Sequence, residues 1–158
     1  LKTTNKLLIN QKLLKMNQEV LLYFRTVADE DNDDNNGAQT SCCFPASRLR
    51  AMNPTADTAL TLYFDSMKNT EGADNQADEI TIADTVALTI TANTHEAVMK
   101  SLVRAINGKK SNPKSDGILV VADDVTTNVA GATVQAVYVD SNITSCGAIA
   151  VAAVHAGS

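Results

Sequence analysis

Alternation with a period of two is the feature that most restricts this chain. Between Ala59 and Asp65, Leu60, Leu62 and Phe64 share one parity, while Thr61, Tyr63 and Asp65 share the other. That is the pattern of a strand with one buried face. Between Ile80 and Thr91 the same rule recurs: Ile80, Ile82, Val86, Leu88 and Ile90 take one parity, and Thr81, Thr85, Thr89 and Thr91 the other. Successive side chains of a strand point to opposite sides, so a chain written this way must build sheet and cover one face of it. Asp84 interrupts the apolar parity and is expected to mark a turn or bulge. The Thr/Ala face is polar enough for water yet flat and uncharged, which also suits a surface covered by a neighbouring subunit.

The remaining segments extend the sheet. Val20–Val27 is rich in β-formers, and residues 28–37 read as a polar loop. A short piece follows at Ser41–Phe44, stopped by Pro45, and Asn53-Pro54 is a turn signal. Leu22-Tyr23-Phe24 is echoed by Leu62-Tyr63-Phe64, as two similar strands facing each other would be. Ile118–Val121 is apolar on both faces and reads as a central strand, ended by Asp123-Asp124. Thr133–Val139 and Ile143–Val154 read as two more strands, the last dominated by small residues (Ala148, Ala150, Ala152, Ala153) that let another layer such as a helix pack closely.

One segment changes period. Val98, Leu102 and Ile106 recur at helical spacing, widened by Met99 and Val103, with Glu96, Lys100 and Arg104 as a charge ladder on the outer side. Asn93 is the N-cap candidate with Glu96 three residues on, and Gly108 the expected stop. The expectation is an α+β fold: mainly antiparallel sheet of six or seven strands, sandwich-like, with one amphipathic helix near residues 94–107.

At 158 residues the chain is long enough for one domain with a real core. No apolar run approaches the ~18 residues of a membrane span. With 13 basic and 18 acidic residues, a net charge of −5, it lacks the basic face that nonspecific nucleic-acid binding needs. Neither a membrane nor nucleic acid is therefore expected as a partner.

Residues 1–15 stand apart: LKTTNKLLINQKLLK carries four lysines and no acid, and without it the balance is −9. A short amphipathic helical or disordered arm, a weak signal-like segment, and translated AT-rich upstream DNA all fit that composition. The expected organisation is therefore a disordered or non-native leader, 1–15, with Met16 opening a single β-rich domain, 16–158. The three cysteines (Cys42, Cys43, Cys146) form no disulfide framework and no C-x-x-C zinc spacing, and are read as reduced thiols.

Sites of chemistry are hard to find. The loop at residues 29–36 fails the EF-hand register: starting at Asn32, position 1 is an amide and position 12 is Cys43; starting at Asp31, Asn36 stands where glycine is required. A looser Ca²⁺ site on Asp31, Asp33 and Asp34 remains as one alternative. His95 and His155 have no nucleophile elbow to serve, and no phosphate-cradling glycine motif occurs. An enzyme assembled from Asp65, Glu79, Asp123 and Asp124 is the other alternative. Tryptophan is absent, which weakens a lectin-like role, leaving Tyr23, Tyr63 and Tyr138 as outer-face candidates or ordinary strand residues. No catalytic, cofactor-binding or metal-ligating residue is assigned, no cofactor is expected, and the protein is read as not an enzyme.

The blocks YFRTVADEDNDD (Tyr23–Asp34), FPASRLRAMNPTADTALTLYFDSMKN (Phe44–Asn69) and SDGILVVADD (Ser115–Asp124) resemble small virion structural proteins of marine tailed phages, cyanophages included. The resemblance spans the chain after Met16 and carries a context rather than functional residues. It implies a capsid-decoration or other minor structural subunit, partnered by capsid or other virion proteins. Such a subunit is located in the virion after assembly in the host cytoplasm. A homo-oligomer is expected, and a trimer would suit the local three-fold axes of a capsid.

Overall fold

Two sheets are joined across one apolar core in a computed structural model that describes residues 19–33, 39–66, 83–112 and 114–151. Among the described residues there are eight strands and one α-helix, so the fold is α+β and mainly β. The strands are β1 (Leu21–Arg25), β2 (Ser41–Pro45), β3 (Leu49–Ala56), β4 (Ala59–Phe64), β5 (Asp84–Ile90), β6 (Ile118–Asp123), β7 (Val137–Tyr138) and β8 (Ile143–Ala150). The helix, α1, is His95–Ser111. The first sheet has the order β2-β1-β6-β7 and the second β3-β4-β5-β8. Every pairing is antiparallel except β1 with β6, which is parallel and shifts register between Tyr23 and Phe24.

The alternation read from the sequence becomes the core. Leu22 and Phe24 point inward from β1, Leu60, Leu62 and Phe64 from β4, and Val86, Leu88 and Ile90 from β5, each essentially without solvent contact. The two Leu-Tyr-Phe segments do face each other. The Phe24 and Phe64 rings meet edge to face at 6.0 Å between centroids, and Phe44 of β2 stacks on Phe64 at 4.3 Å. The helix buries Val98 and Leu102, half-buries Met99, Ala105 and Ile106 against the core, and packs beside β6 rather than on the small-residue strand. The small residues of β8 serve its own sheet: a Cβ on Gly147 would sit 2.9 Å from the Ala87 carbonyl oxygen.

Several boundaries differ from expectation, each for a physical reason. The strand count is eight rather than six or seven because Leu49–Ala56 is a strand and Asn53-Pro54 lies inside it. Proline is tolerated there because β3 is an edge with a bulge beside Pro54, and the chain reverses instead at Asp57 and Thr58, between the paired Ala56 and Ala59. Asp84 is neither turn nor bulge. It opens β5 opposite Phe64 and is fully buried on the core parity.

Asn93 does not cap the helix, since its φ of 63° prevents the extended cap geometry; the N-cap position is Thr94, whose hydroxyl donates to the Thr91 carbonyl at 2.7 Å. Nor does Gly108 stop it. Among the described glycines only Gly117 and Gly131 have positive φ, and the helix runs on to Ser111, whose Oγ donates back to the Asn107 carbonyl at 2.9 Å. Of Thr133–Val139 only Val137–Tyr138 is strand. Thr133 bridges locally to Thr127, because residues 126–134 fold back on the acidic loop. The last strand ends at Ala150, and residues 1–18, 34–38, 67–82 and 152–158, which include the expected leader, Asp34, Asn36, Glu79, Ile80, Thr81, Ile82, Ala152, Ala153 and His155, lie outside the described residues.

Because Phe64 touches both other rings, Phe64→Ala should cost about 3–5 kcal/mol, the usual range for emptying a buried phenylalanine site. The expected result is a lower urea midpoint with an unchanged slope. An unchanged midpoint would mean that the sheets are not held through this contact.

Candidate functional site

The acidic loop is the most chemically loaded part of the described chain, and Arg25 is its centre. Arg25 ends β1 beside Asp123 of β6, because the parallel register pairs these two residues. Its guanidinium grips Asp123 with two parallel bonds, Nε to Oδ1 at 2.9 Å and a terminal nitrogen to Oδ2 at 2.8 Å. The other terminal nitrogen reaches Glu30 at 3.4 Å and Asp33 at 3.5 Å. The Asp123 hydrogen bond raises the guanidinium pKa beyond its already high value. Three carboxylates thus converge on one cation whose side chain is only 13% exposed, and the planar fork is suited to that task. Arg25 also lies over the Tyr23 ring at 5.7 Å, on the outer face of the first sheet.

The loop is further occupied with holding its neighbours. Asp29 accepts from the Asp31 amide at 3.1 Å and so caps the 3₁₀ turn Glu30–Asn32. Glu30 accepts from the Val129 amide at 3.2 Å, and its own amide donates to the Thr127 carbonyl at 2.9 Å. Of the looser Ca²⁺ set, Asp33 faces Arg25, Asp31 is exposed and Asp34 lies outside the described residues. Among the described residues no three His, Cys, Asp or Glu side chains are grouped to hold a metal ion.

The carboxylates considered for an assembled enzyme site are separated by their work. Asp65 pairs with Arg50 on the exposed flank of β3 and β4. Asp123 is held by Arg25. Asp124 faces the other way and joins the two sheets: it accepts from the Cys146 amide of β8 at 2.8 and 3.0 Å and from the Tyr138 hydroxyl at 2.9 Å. Glu79 lies outside the described residues. His95, half-buried at the start of α1, contacts the Ala56 carbonyl oxygen through Nε2 at 2.9 Å. Two neighbouring depressions along the outer side of α1 share Lys100 and Arg104, one of them adding Met99 and Val103, and neither is lined by Asp65, Asp123 or Asp124.

What sequence reading missed is the outer face of the first sheet. Pro45, Leu21 and Ile118 sit side by side across β2, β1 and β6, with Cys43, Tyr23 and Val120 as the next row. Leu21 and Ile118 are 36% and 43% exposed, and Val137 of β7 is 51% exposed. The near-continuous apolar run Ile118–Val121 was the available signal. Such a run implies burial on both sides, whereas Ile118 is open.

No protein-family model, curated protein or solved structure matches the chain. Among the described residues no helix is long and apolar enough to cross a membrane.

Two expectations follow from this geometry. Arg25→Ala leaves Asp123, Glu30 and Asp33 facing one another, and should cost about 2–3 kcal/mol, below the value for a fully buried pair because Glu30 and Asp33 keep water. A urea midpoint within error of the parent would contradict this. The second concerns alkali. Burial first, then neighbouring negative charge for the two thiols and the hydrogen bond to Asp124 for the phenol, pushes Cys42, Cys146 and Tyr138 up to about 12. In the unfolded chain these groups release protons from their ordinary values of 9.0 and 10.0. The unfolded state then binds fewer protons than the folded one, so stability is whole below pH 9.0 and falls as pH rises to about 12. Melting temperatures across that window should fall, and fall less above pH 10 in Tyr138→Phe.

Proposed function

We propose that this protein is a virion structural subunit of a tailed phage, a capsid-decoration or other minor component that works through protein–protein contacts and self-associates. The observation that carries the reading is the division of labour on the surface. The carboxylates with the best claim to chemistry are committed to internal partners, Asp123 to Arg25 and Asp124 to Tyr138 and Cys146. Leu21 and Ile118, by contrast, stand exposed side by side on a sheet face, with Val137 exposed on the same sheet. Exposed apolar patches of this kind are usual at association surfaces. The resemblance of the three sequence blocks to marine phage structural proteins supplies the context, and virion location with capsid proteins as partners follows from it.

The calcium-binding and enzymatic alternatives draw less from the geometry. Of the carboxylates that a Ca²⁺ ion would need in the acidic loop, Asp33 is already paired with the Arg25 guanidinium. Of the carboxylates proposed for a reaction, the three described ones, Asp65, Asp123 and Asp124, are held by different partners.

Light scattering of the purified chain, combined with cosedimentation on purified capsids of marine tailed phages, tests the proposal. An oligomer that travels with capsids is the expected result. A strict monomer that remains at the top of the gradient would overturn it.

A further inference from the structure

Each sheet of an open sandwich has two edges, and exposed edges invite pairing with other strands unless something blocks them. Three of the four edges here are blocked by identifiable means. β3 is broken by two bulges and carries Arg50 and Pro54. β7 is two residues long. β8 has some of its outward backbone groups taken by side chains, the Thr144 carbonyl accepting from the Tyr138 hydroxyl at 3.2 Å and the Cys146 amide donating to Asp124, and just past its end the Gln39 amide binds both the N–H and the C=O of Val151.

β2 has no such protection. The bonds Thr26 N–H to Thr40 C=O and Ala46 N–H to Val20 C=O fix the ladder phase, so Cys42 and Phe44 bond to β1 while Ser41, Cys43 and Pro45 turn their backbone groups away from it. Among the described residues nothing pairs with that outward side, and its sequence, Ser-Cys-Cys-Phe-Pro, carries no charge. Exposed Cys43 lies at its centre.

We infer that the β2 edge is a self-association site, on which the β2 strand of a second copy pairs antiparallel about a two-fold axis through Cys43. The arrangement is complementary in two ways. Cys43 exchanges both backbone bonds with its counterpart, and each Ser41 N–H meets the other copy's Pro45 C=O, so the missing proline N–H costs little. Charge complements as well. Antiparallel pairing brings the end of β2 that leads to Arg48, exposed and without an ion pair among the described residues, toward the other copy's acidic loop, whose Asp31 is exposed. A two-fold contact of this kind is isologous and closes on itself, joining the two first sheets into one of eight strands. This inference deepens the subunit reading above by naming one surface through which copies meet.

The test uses the full chain. Diamide takes one hydrogen from each of two thiols, forming the disulfide and the corresponding hydrazine. In a Cys43-centred pair the Cα atoms lie about 5.5 Å apart, within disulfide range. The expected result is a covalent dimer from the parent and from Cys42→Ser, and none from Cys43→Ser. Cys43→Lys, which places two like charges at the axis, should weaken self-association at least about tenfold by light scattering with an unchanged circular dichroism spectrum. If Cys43→Lys fails to fold, the Cys42→Ser and Cys43→Ser pair decides alone. A protein that self-associates with no Cys43 cross-link and no effect of the lysine overturns the β2 edge while leaving the subunit reading intact. A parent chain that is monomeric and forms no cross-link also overturns it, and the virion reading is then judged separately by capsid cosedimentation.

Discussion

The contact among Phe24, Phe44 and Phe64 is the one on which the rest of this structure depends. These are all the phenylalanines the chain has, and they come from three strands in two sheets. Each sheet alone would expose one apolar face, and that face is buried only by packing against the other layer. Edge-to-face and stacked rings fill the space between layers with large, geometrically specific side chains. Leu22, Leu62, Val86 and Leu88 then pack around a centre that is already fixed. The parallel pairing of β1 with β6 fits the same requirement, since it places Phe24 inward while bringing Arg25 level with Asp123.

Two adjacent acids show how position alone assigns a role. Asp123 is the last residue of β6 and turns to the outer side, where Arg25 neutralises it together with Glu30 and Asp33. Asp124 is one residue later and so turns the opposite way, to the amide of Cys146 in the other sheet and the hydroxyl of Tyr138 in its own. The same two residues that read from sequence only as the end of a strand thus lock the acidic loop on one side and tie the sheets together on the other.

Much of the fold was legible because burial and periodicity are directly linked. The parities at Leu60–Leu62–Phe64 and Val86–Leu88–Ile90 and the helical spacing of Val98, Leu102 and Ile106 each appear in the core as read. What failed to read were features set by neighbours. Asp84 looked like an interruption, yet its parity was imposed by antiparallel register opposite Phe64. Pro54 looked like a turn, yet an edge strand with a bulge has room for it. Asn93 had the composition of a cap and the wrong backbone conformation to serve as one. The candidate site was less legible still, since nothing local to Arg25 announces Asp123, 98 residues away.

By itself the sequence determined that this chain forms mainly sheet with one amphipathic helix, which side of β4 and β5 is buried, and that no familiar catalytic motif is present. These follow from side-chain order along the chain, which a strand or helix converts into faces without help from other segments. Only the tertiary structure decided which strands are neighbours, which acids are neutralised, and which sheet edge, at Ser41 and Cys43, has no strand on its outer side among the described residues. Those outcomes depend on hydrogen bonds and ion pairs between residues far apart in sequence. Their partners exist only once the two sheets have closed on the phenylalanine core.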